Sequence, residues 1–248
     1  MFLFINCKGS IRYSFEKKLT SGLFVEPEPK IIKDILSDDS EITMCVFFAT
    51  PTDEFSNYIT IERTVEDSII INTKIFSMLR RSSIPKIIIV LSNKISDHDL
   101  FIPHKLMLNL RNFKSKISFV IAPVSFGIGD SINIFSTNFI VATISKFHTF
   151  NNIPLQITPT TTKQFIHADD LCDAILKNVC DDKIYIINST IKYNLLDIVK
   201  FINITNKKYT LNDSKTQQDL YMKPSGDYIT KDIYLNILEL INYFSVKL

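Results

Sequence analysis

The sequence predicts an α/β protein built on a doubly wound parallel sheet, and three observations predict it. Short apolar runs rich in β-branched residues recur at 2–5, 43–48, 86–91, 118–121 and 183–187, each bounded by polar or turn residues. Their length and composition are those of strands buried on both faces of a sheet. Segments of helical period lie between them, and a strand–helix alternation of this kind winds into a parallel sheet covered by helices.

The elements follow in chain order. The first run, Phe2-Leu3-Phe4-Ile5, leads into a helix expected over 14–19. A short apolar stretch, Leu23-Phe24-Val25, reaches Glu26, with Pro27 and Pro29 just after it, and reads as an abbreviated second strand. The run 43–48 comes next. Over 65–81, Ile69, Thr73, Phe76, Leu79 and Arg80 fall around an amphipathic helix that precedes the strand at 86–91. A helix over 104–113 precedes the strand at 118–121. In the last third, Asp169 and Asp170 are expected to cap a helix over 171–179, since aspartate oxygens accept first-turn amides and suit the positive helix end. A strand at 184–187, a helix over 194–202 and a helical tail over 229–244 complete the pattern. The stretch 206–226 is the most polar and loop-like, and no internal repeat occurs.

Bulk properties narrow the function classes. A chain of 248 residues can bury a substantial core as one domain or a domain plus a small lobe. Net charge is +2 with acids and bases interspersed, so no basic stripe marks a nucleic-acid partner. No stretch approaches the roughly 20 apolar residues of a membrane span, and the apolar start of MFLFINCKGS is too short for a signal peptide. Cys7, Cys45, Cys172 and Cys180 form no Cys-x-x-Cys pair and no metal-ligand spacing with the four histidines. Disulfides and a metal site are therefore not expected. A reducing, cytoplasmic location is.

The segment QFIHADDLCDAI, residues 164–175, carries a resemblance. Phe165, Ile166, His167, Asp169, Asp170, Asp173 and Ala174 fit a motif of the extended short-chain dehydrogenases/reductases, with Lys163 where an arginine is usual. Upstream, APVSFGIGD resembles that family's proline- and glycine-containing loop through Pro123, Phe126, Gly127, Gly129 and Asp130. The following strand and helix fit as well, with Asn188-Ser189-Thr190 replacing a glycine turn. These matches occur in the family's order over almost the whole chain. On residues alone, the 164–175 segment is a capped helix entering the core, and His167 is a satisfied structural histidine.

The resemblance identifies the chain as a degenerate member of the sugar-nucleotide epimerase/dehydratase branch. It implies a Rossmann-like domain over 1–150. Residues 151–248 would mainly form a small C-terminal α/β substrate lobe, with 164–190 returning to the main domain. The family's Gly-x-x-Gly-x-x-Gly loop, which lets the backbone approach a pyrophosphate, falls here on Asn6, Gly9 and Arg12, so only the middle glycine remains. Asn6 tolerates a left-handed conformation, and Arg12 would offer a charge to a phosphate. With Ser10, Ile11, Ala49, Thr50, Lys105 and Pro123 these positions form the cofactor site that the resemblance implies, for NAD or NADP. Glu26 is the candidate for selecting the adenosine ribose, or else a solvated loop glutamate.

The catalytic centre departs furthest from the family. There a tyrosine one helical turn before a lysine transfers the proton, and the lysine charge brings the phenol toward working pH. In FIPHKLMLNL the lysine position is Lys105, but the tyrosine position is Phe101, which has no proton to give. The family's serine turn falls on Leu91-Ser92-Asn93-Lys94, with Lys94 at the usual catalytic position and Ser92 nearby. His98 and His104 lie close in sequence, but no spacing assigns either the missing role. Ser92, Ser125 and Lys163 are the implied substrate contacts, to a nucleotide sugar. Two functional readings remain open, beside the blander one of a fold relic that holds no ligand. One is an NAD(P)-dependent epimerase, dehydratase or reductase with impaired proton transfer. The other is an inactive protein of the same fold that binds a nucleotide or a partner, as a homodimer or beside an active relative.

Overall fold

The computed structural model describes residues 1–49, 70–92, 115–132, 134, 136, 138–149, 160–178, 184–187, 191–209 and 232–247. The expectations at Thr50, Lys94, His98, Phe101, His104, Lys105, Cys180 and 188–190 lie outside them.

Six strands form one parallel sheet: β1 (Phe2–Ile5), β2 (Gly22–Val25), β3 (Met44–Phe48), β4 (Lys86–Ser92), β5 (Lys116–Ala122) and β9 (Ile184–Ile186). Their order is β2-β1-β3-β4-β5-β9, every neighbouring pair parallel. The chain leaves β1 toward β2 on one side and returns at β3 on the other, so the topological switch point lies between β1 and β3.

Both faces of this sheet are apolar, as the unbroken hydrophobic runs require. Phe4, Val46, Ile88, Val90 and Val120 face α1 (Gly9–Lys18) and α5 (Ala168–Asn178), where Phe15, Leu171, Cys172 and Ile175 meet them. The alternate residues Leu3, Ile5, Cys45, Phe47, Ile87, Ile89 and Phe119 face α2 (Pro29–Leu36) and α3, helical over 70–79, through Ile32, Ile75 and Leu79. Fully burying each such Leu, Ile or Phe contributes about 1.5–3 kcal/mol. Two-sided burial therefore holds the sheet more strongly than any surface ion pair.

Small strands link this body to a second core. β6 (Val124–Phe126) pairs in parallel with β8 (Phe165–His167), and β7 (Thr162–Lys163) pairs antiparallel with β10 (Tyr193–Asn194). Helices α4 (Phe139–Thr149), α6 (Leu195–Tyr209) and α7 (Ile233–Lys247) pack around Phe126, Phe165, Ile144, Ile198, Ile237, Leu240 and Phe244. Asn138 starts α4, its Oδ1 accepting the Ile140 amide at 3.1 Å.

Several boundaries differ from expectation for local reasons. Helix α1 begins at Gly9 and not at 14, because Asn6 and Gly9, at φ +58° and +54°, turn the chain immediately after β1. Helix α2 was not expected from the sequence, and Pro29 occupies a first-turn position in it, where no amide donor is needed. Asp169 and Asp170 do not precede α5 as caps. The helix starts at Ala168, they lie in its first turn, and the Asp169 amide donates to His167 Nδ1 at 3.3 Å. The histidine ring thus supplies the acceptor that the aspartates were expected to supply.

Candidate functional site

Five of the residues singled out in the sequence lie at strand ends along one edge of the sheet. Asn6 follows β1, Glu26 follows β2, Ala49 follows β3, Ser92 closes β4, and Pro123 follows β5. Ser92 is in register with Ala122, so the ends of β4 and β5 stand side by side. These are the carboxyl ends of parallel strands, beside the β1/β3 switch point, where ligands bind in open α/β sheets.

The turn after β1 is built tightly. Asn6, a buried residue in the left-handed region, receives its main-chain bond from the neighbouring strand, with its amide donating to Val25 O at 2.9 Å. Its side-chain Nδ2 donates to Phe48 O at 2.9 Å, which bridges the switch point from β1 to β3. Asn6 Oδ1 is buried with no hydrogen-bond partner among the described residues. Helix α1 then opens at Gly9 at this edge of the sheet, and the partial positive charge of its N-terminus suits an anion, a place that Asp130 takes at the Ser10 amide.

The loop after β5 closes on this turn from the other side. Asp130 Oδ1 accepts the Ser10 amide at 2.9 Å, and Oδ2 accepts the Gly127 amide at 3.1 Å. A Cβ on Gly9 would stand 2.7 Å from Asp130 Oδ1, and one on Gly129 would stand 2.7 Å from Tyr13 Cβ. Only glycine fits at both positions. Burial raises the Asp130 carboxyl above its ordinary range, against the pull of the Ser10 and Gly127 hydrogen bonds. Asp130 was legible only as part of a loop motif, and nothing in the sequence marked it as the carboxylate that engages α1.

The remaining expected residues are placed as follows. Ile11 is half-buried on α1, and its carbonyl lies 3.6 Å from Cys172 Sγ. Arg12, expected to meet a phosphate, instead donates through Nε to Glu16 at 2.7 Å, with its guanidinium 5.1 Å above the Phe24 ring. Glu16 lies one helical turn away and β2 runs beside α1, so both are within easier reach than the crevice. Ala49 is held by backbone, its amide donating to Val90 O at 3.0 Å and its carbonyl accepting Asn72 Nδ2 at 3.0 Å. Pro123 is buried between β5 and β6, and Ser125 lies within β6, its carbonyl accepting Asn138 Nδ2 at 2.6 Å. Lys163 is exposed on β7, opposite Tyr193.

The described cysteines are poor nucleophiles. Cys7, Cys45 and Cys172 are buried free thiols whose pKa values burial raises, which disfavours the nucleophilic thiolate. Among the described residues no group of three or more His, Cys, Asp or Glu could hold a metal, and no helix is long and apolar enough to cross a membrane.

A left-handed turn opening a helix at the switch point of a parallel sheet, with a small second lobe, defines the class. This chain has the fold of the extended short-chain dehydrogenases/reductases, of the sugar-nucleotide epimerase/dehydratase kind. Particular solved structures resemble it closely in shape. One is a UDP-glucose 4-epimerase from Thermotoga maritima solved with UDP-glucose, at a TM-score of 0.73 and 12% identity, covering 99% of each chain. Another is the enzyme WbmF of Bordetella bronchiseptica in complex with NADH, at 0.73 and 13%, covering 99% of this chain and 92% of that one. A GDP-L-fucose synthetase from Naegleria fowleri bound to NADP matches at 0.70 and 12%, covering 99% of this chain and 92% of that one. No protein-family model and no curated protein matches the sequence.

Proposed function

We propose that this chain binds NAD or NADP together with a nucleotide sugar in the crevice at the carboxyl edge of its sheet, as a member of this fold whose proton transfer is impaired. The observation that carries the reading is the Asn6–Gly9 turn, which opens α1 at the β1/β3 switch point. Of the positions named for the cofactor, Asn6, Gly9 and Ile11 would hold the pyrophosphate with Lys8 beside them, Ser10 and Arg12 being engaged by Asp130 and Glu16, and Ala49 and Pro123 would flank the nicotinamide half. Two features fit that occupant: the backbone curvature at Asn6 and Gly9, and the Lys8 cation before the helix. Bound there, the nicotinamide supplies a carrier of hydride to or from a sugar carbon. Lys105 would hold the ribose, while Ser92, Ser125 and Lys163 would contact the sugar nucleotide. Phe101 can neither donate nor accept a proton, and losing such a group costs roughly 10²–10⁴ in rate.

A second reading, a binding protein without turnover, is favoured by the same Phe101 and by the engagement of Arg12 with Glu16 and Phe24. Such a chain would act as a homodimer or beside an active relative. Titration with NADH and NADPH, followed by nicotinamide fluorescence and thermal shift, tests the shared claim. A ligand that binds only the folded chain at 100 times its Kd stabilises it by about 2.7 kcal/mol, so an unchanged melting temperature at millimolar cofactor rejects the enzyme and leaves only a protein that binds another partner. If cofactor binds, Phe101→Tyr separates them. Turnover of a nucleotide sugar gained by at least about 10²-fold identifies an otherwise intact site, and no gain places the lesion elsewhere than Phe101.

A further inference from the structure

The order of strands departs from the dinucleotide pattern on one side of the sheet. A doubly wound dinucleotide fold runs 3-2-1-4-5-6, so its first half sets three strands on one side of the switch point. Here β2 is the outermost strand on that side, and the next strand in sequence, β3, pairs with the opposite side of β1. The connection from α2 to β3, residues 37–43, is described throughout and contains no strand. It crosses the sheet at the amino ends of the strands. Glu41 O accepts the Met1 amino group at 2.8 Å, the Thr43 amide donates to Met1 O at 2.9 Å, and Asp39 Oδ2 accepts the Ser83 amide at 2.8 Å. Met1 precedes β1 and Ser83 precedes β4, so this connection stays at the far end from the crevice. The crevice end of β2 is equally spare. The Glu28 amide donates to Glu26 O at 2.7 Å, and the chain turns from β2 into α2 within three residues. Glu26, 2.9 Å from Lys8, is 62% exposed at this rim, Gly22 is exposed, and Leu23, Phe24 and Val25 are half-buried.

A dinucleotide laid across the switch point puts its ribose at the end of the second strand, so the base beyond it reaches outward over the third. We infer that this crevice recognises a nicotinamide nucleotide through its diphosphate and nicotinamide half and leaves the second base in water beyond β2. A base gains affinity chiefly by taking its faces out of water, and among the described residues the outer side of β2 offers no strand to cover them. The ligand class is therefore a nicotinamide riboside diphosphate, with or without a nucleoside attached, whatever base that nucleoside carries. The inference rests on the dinucleotide-binding reading and adds to it which part of the ligand the chain reads.

A ligand series on the unaltered full chain tests this, so no variant has to fold. Nicotinamide fluorescence gives dissociation constants for NADH, for its counterparts carrying hypoxanthine or guanine in place of adenine, and for reduced nicotinamide riboside 5′-diphosphate. The last keeps both phosphates and lacks the adenosine. AMP is then added as a competitor of NADH. All four constants are expected within about tenfold of one another, and AMP at about a hundred times the NADH constant should leave NADH bound. Exchange of the base or removal of the adenosine that weakens binding by more than about tenfold overturns the inference. Displacement of NADH by AMP at that concentration does the same. In both cases NADH still binds, so the dinucleotide reading stands. Binding of none of the four ligands overturns both.

Discussion

Asn6, Gly9 and Asp130 act as one local device. Asn6 and Gly9 take left-handed conformations that together turn the chain from β1 into α1, and Asp130 fastens the turn from the opposite loop. Gly9→Ala brings two costs at once, a Cβ at positive φ and a contact of 2.7 Å with Asp130 Oδ1. It should destabilise the fold by about 1–3 kcal/mol in urea unfolding. Asp130 makes a pH prediction with an unusual sign. Its carboxyl is raised in the folded chain, chiefly by burial. The protonated form is therefore the one folding favours, so its contribution is fully present below the ordinary aspartate value near 4 and is lost as pH rises through the folded value. Relative to Asp130→Asn, the wild-type chain should gain stability as pH is lowered from 7 toward 4, read from melting temperatures of the two proteins across that range. An opposite slope would show that the Ser10 and Gly127 hydrogen bonds outweigh burial.

At the scale of elements, α1 decides the geometry of the crevice, and its packing fixes where its first turn points. Phe15 lies against Phe4 with ring centroids 4.5 Å apart, and Phe4 stacks on Phe24 at 4.7 Å. The helix is also tied to α5 by Lys18 Nζ and Asp173 Oδ1 at 2.8 Å. The hydrogen bond from Lys18 lowers the Asp173 carboxyl below its usual range. Burial pulls Lys18 downward, but the hydrogen bond and charge of Asp173 outweigh it and leave Lys18 raised. A lowered acid contributes above its ordinary value and loses that contribution on acidification, while a raised lysine loses its own at high pH. The bridge thus contributes from about pH 4 to about pH 10. Both side chains are partly exposed, so Asp173→Asn should cost only about 0.2–1 kcal/mol at pH 7, and less at pH 3. Phe15→Ala in the same helix should cost about 3–5 kcal/mol by chemical denaturation, because a fully buried ring leaves a cavity beside Phe4 of β1 and Phe48 of β3.

The whole molecule joins two cores. The sheet core is sandwiched between α1 and α5 on one face and α2 and α3 on the other. The second core gathers α4, α6 and α7 around Phe126 and Phe165. Those two phenylalanines sit on β6 and β8, and Gly127, which follows β6, lies beside Ser10 of α1 and beside His167 and Ala168. The seam between the cores therefore passes under the crevice, and a ligand held there would contact segments of both. Phe126→Ala should consequently weaken NADH binding as well as stability, whereas Phe244→Ala, on α7, should lower stability alone. Paired denaturation and fluorescence titrations of the two variants check this, and equal binding losses would contradict it.

Much of this was determined by the sequence alone. The strands at 2–5, 44–48, 86–92 and 116–122 announce themselves because a strand buried on both faces must be apolar along its whole length, a signal that does not depend on its neighbours. The motif at 164–175 and the loop through Pro123 and Gly127 placed the chain in its fold although only Gly9 remains of the glycine pattern. Tertiary structure decided the rest. That Glu26 meets Lys8, that Asp130 takes the Ser10 amide, and that Arg12 goes to Glu16 and Phe24 depend on which segments the switch point brings together. Such pairings span up to 120 positions of chain. Local pattern carries no record of them, because an exposed or half-buried polar residue takes whatever partner the finished fold sets within hydrogen-bonding reach.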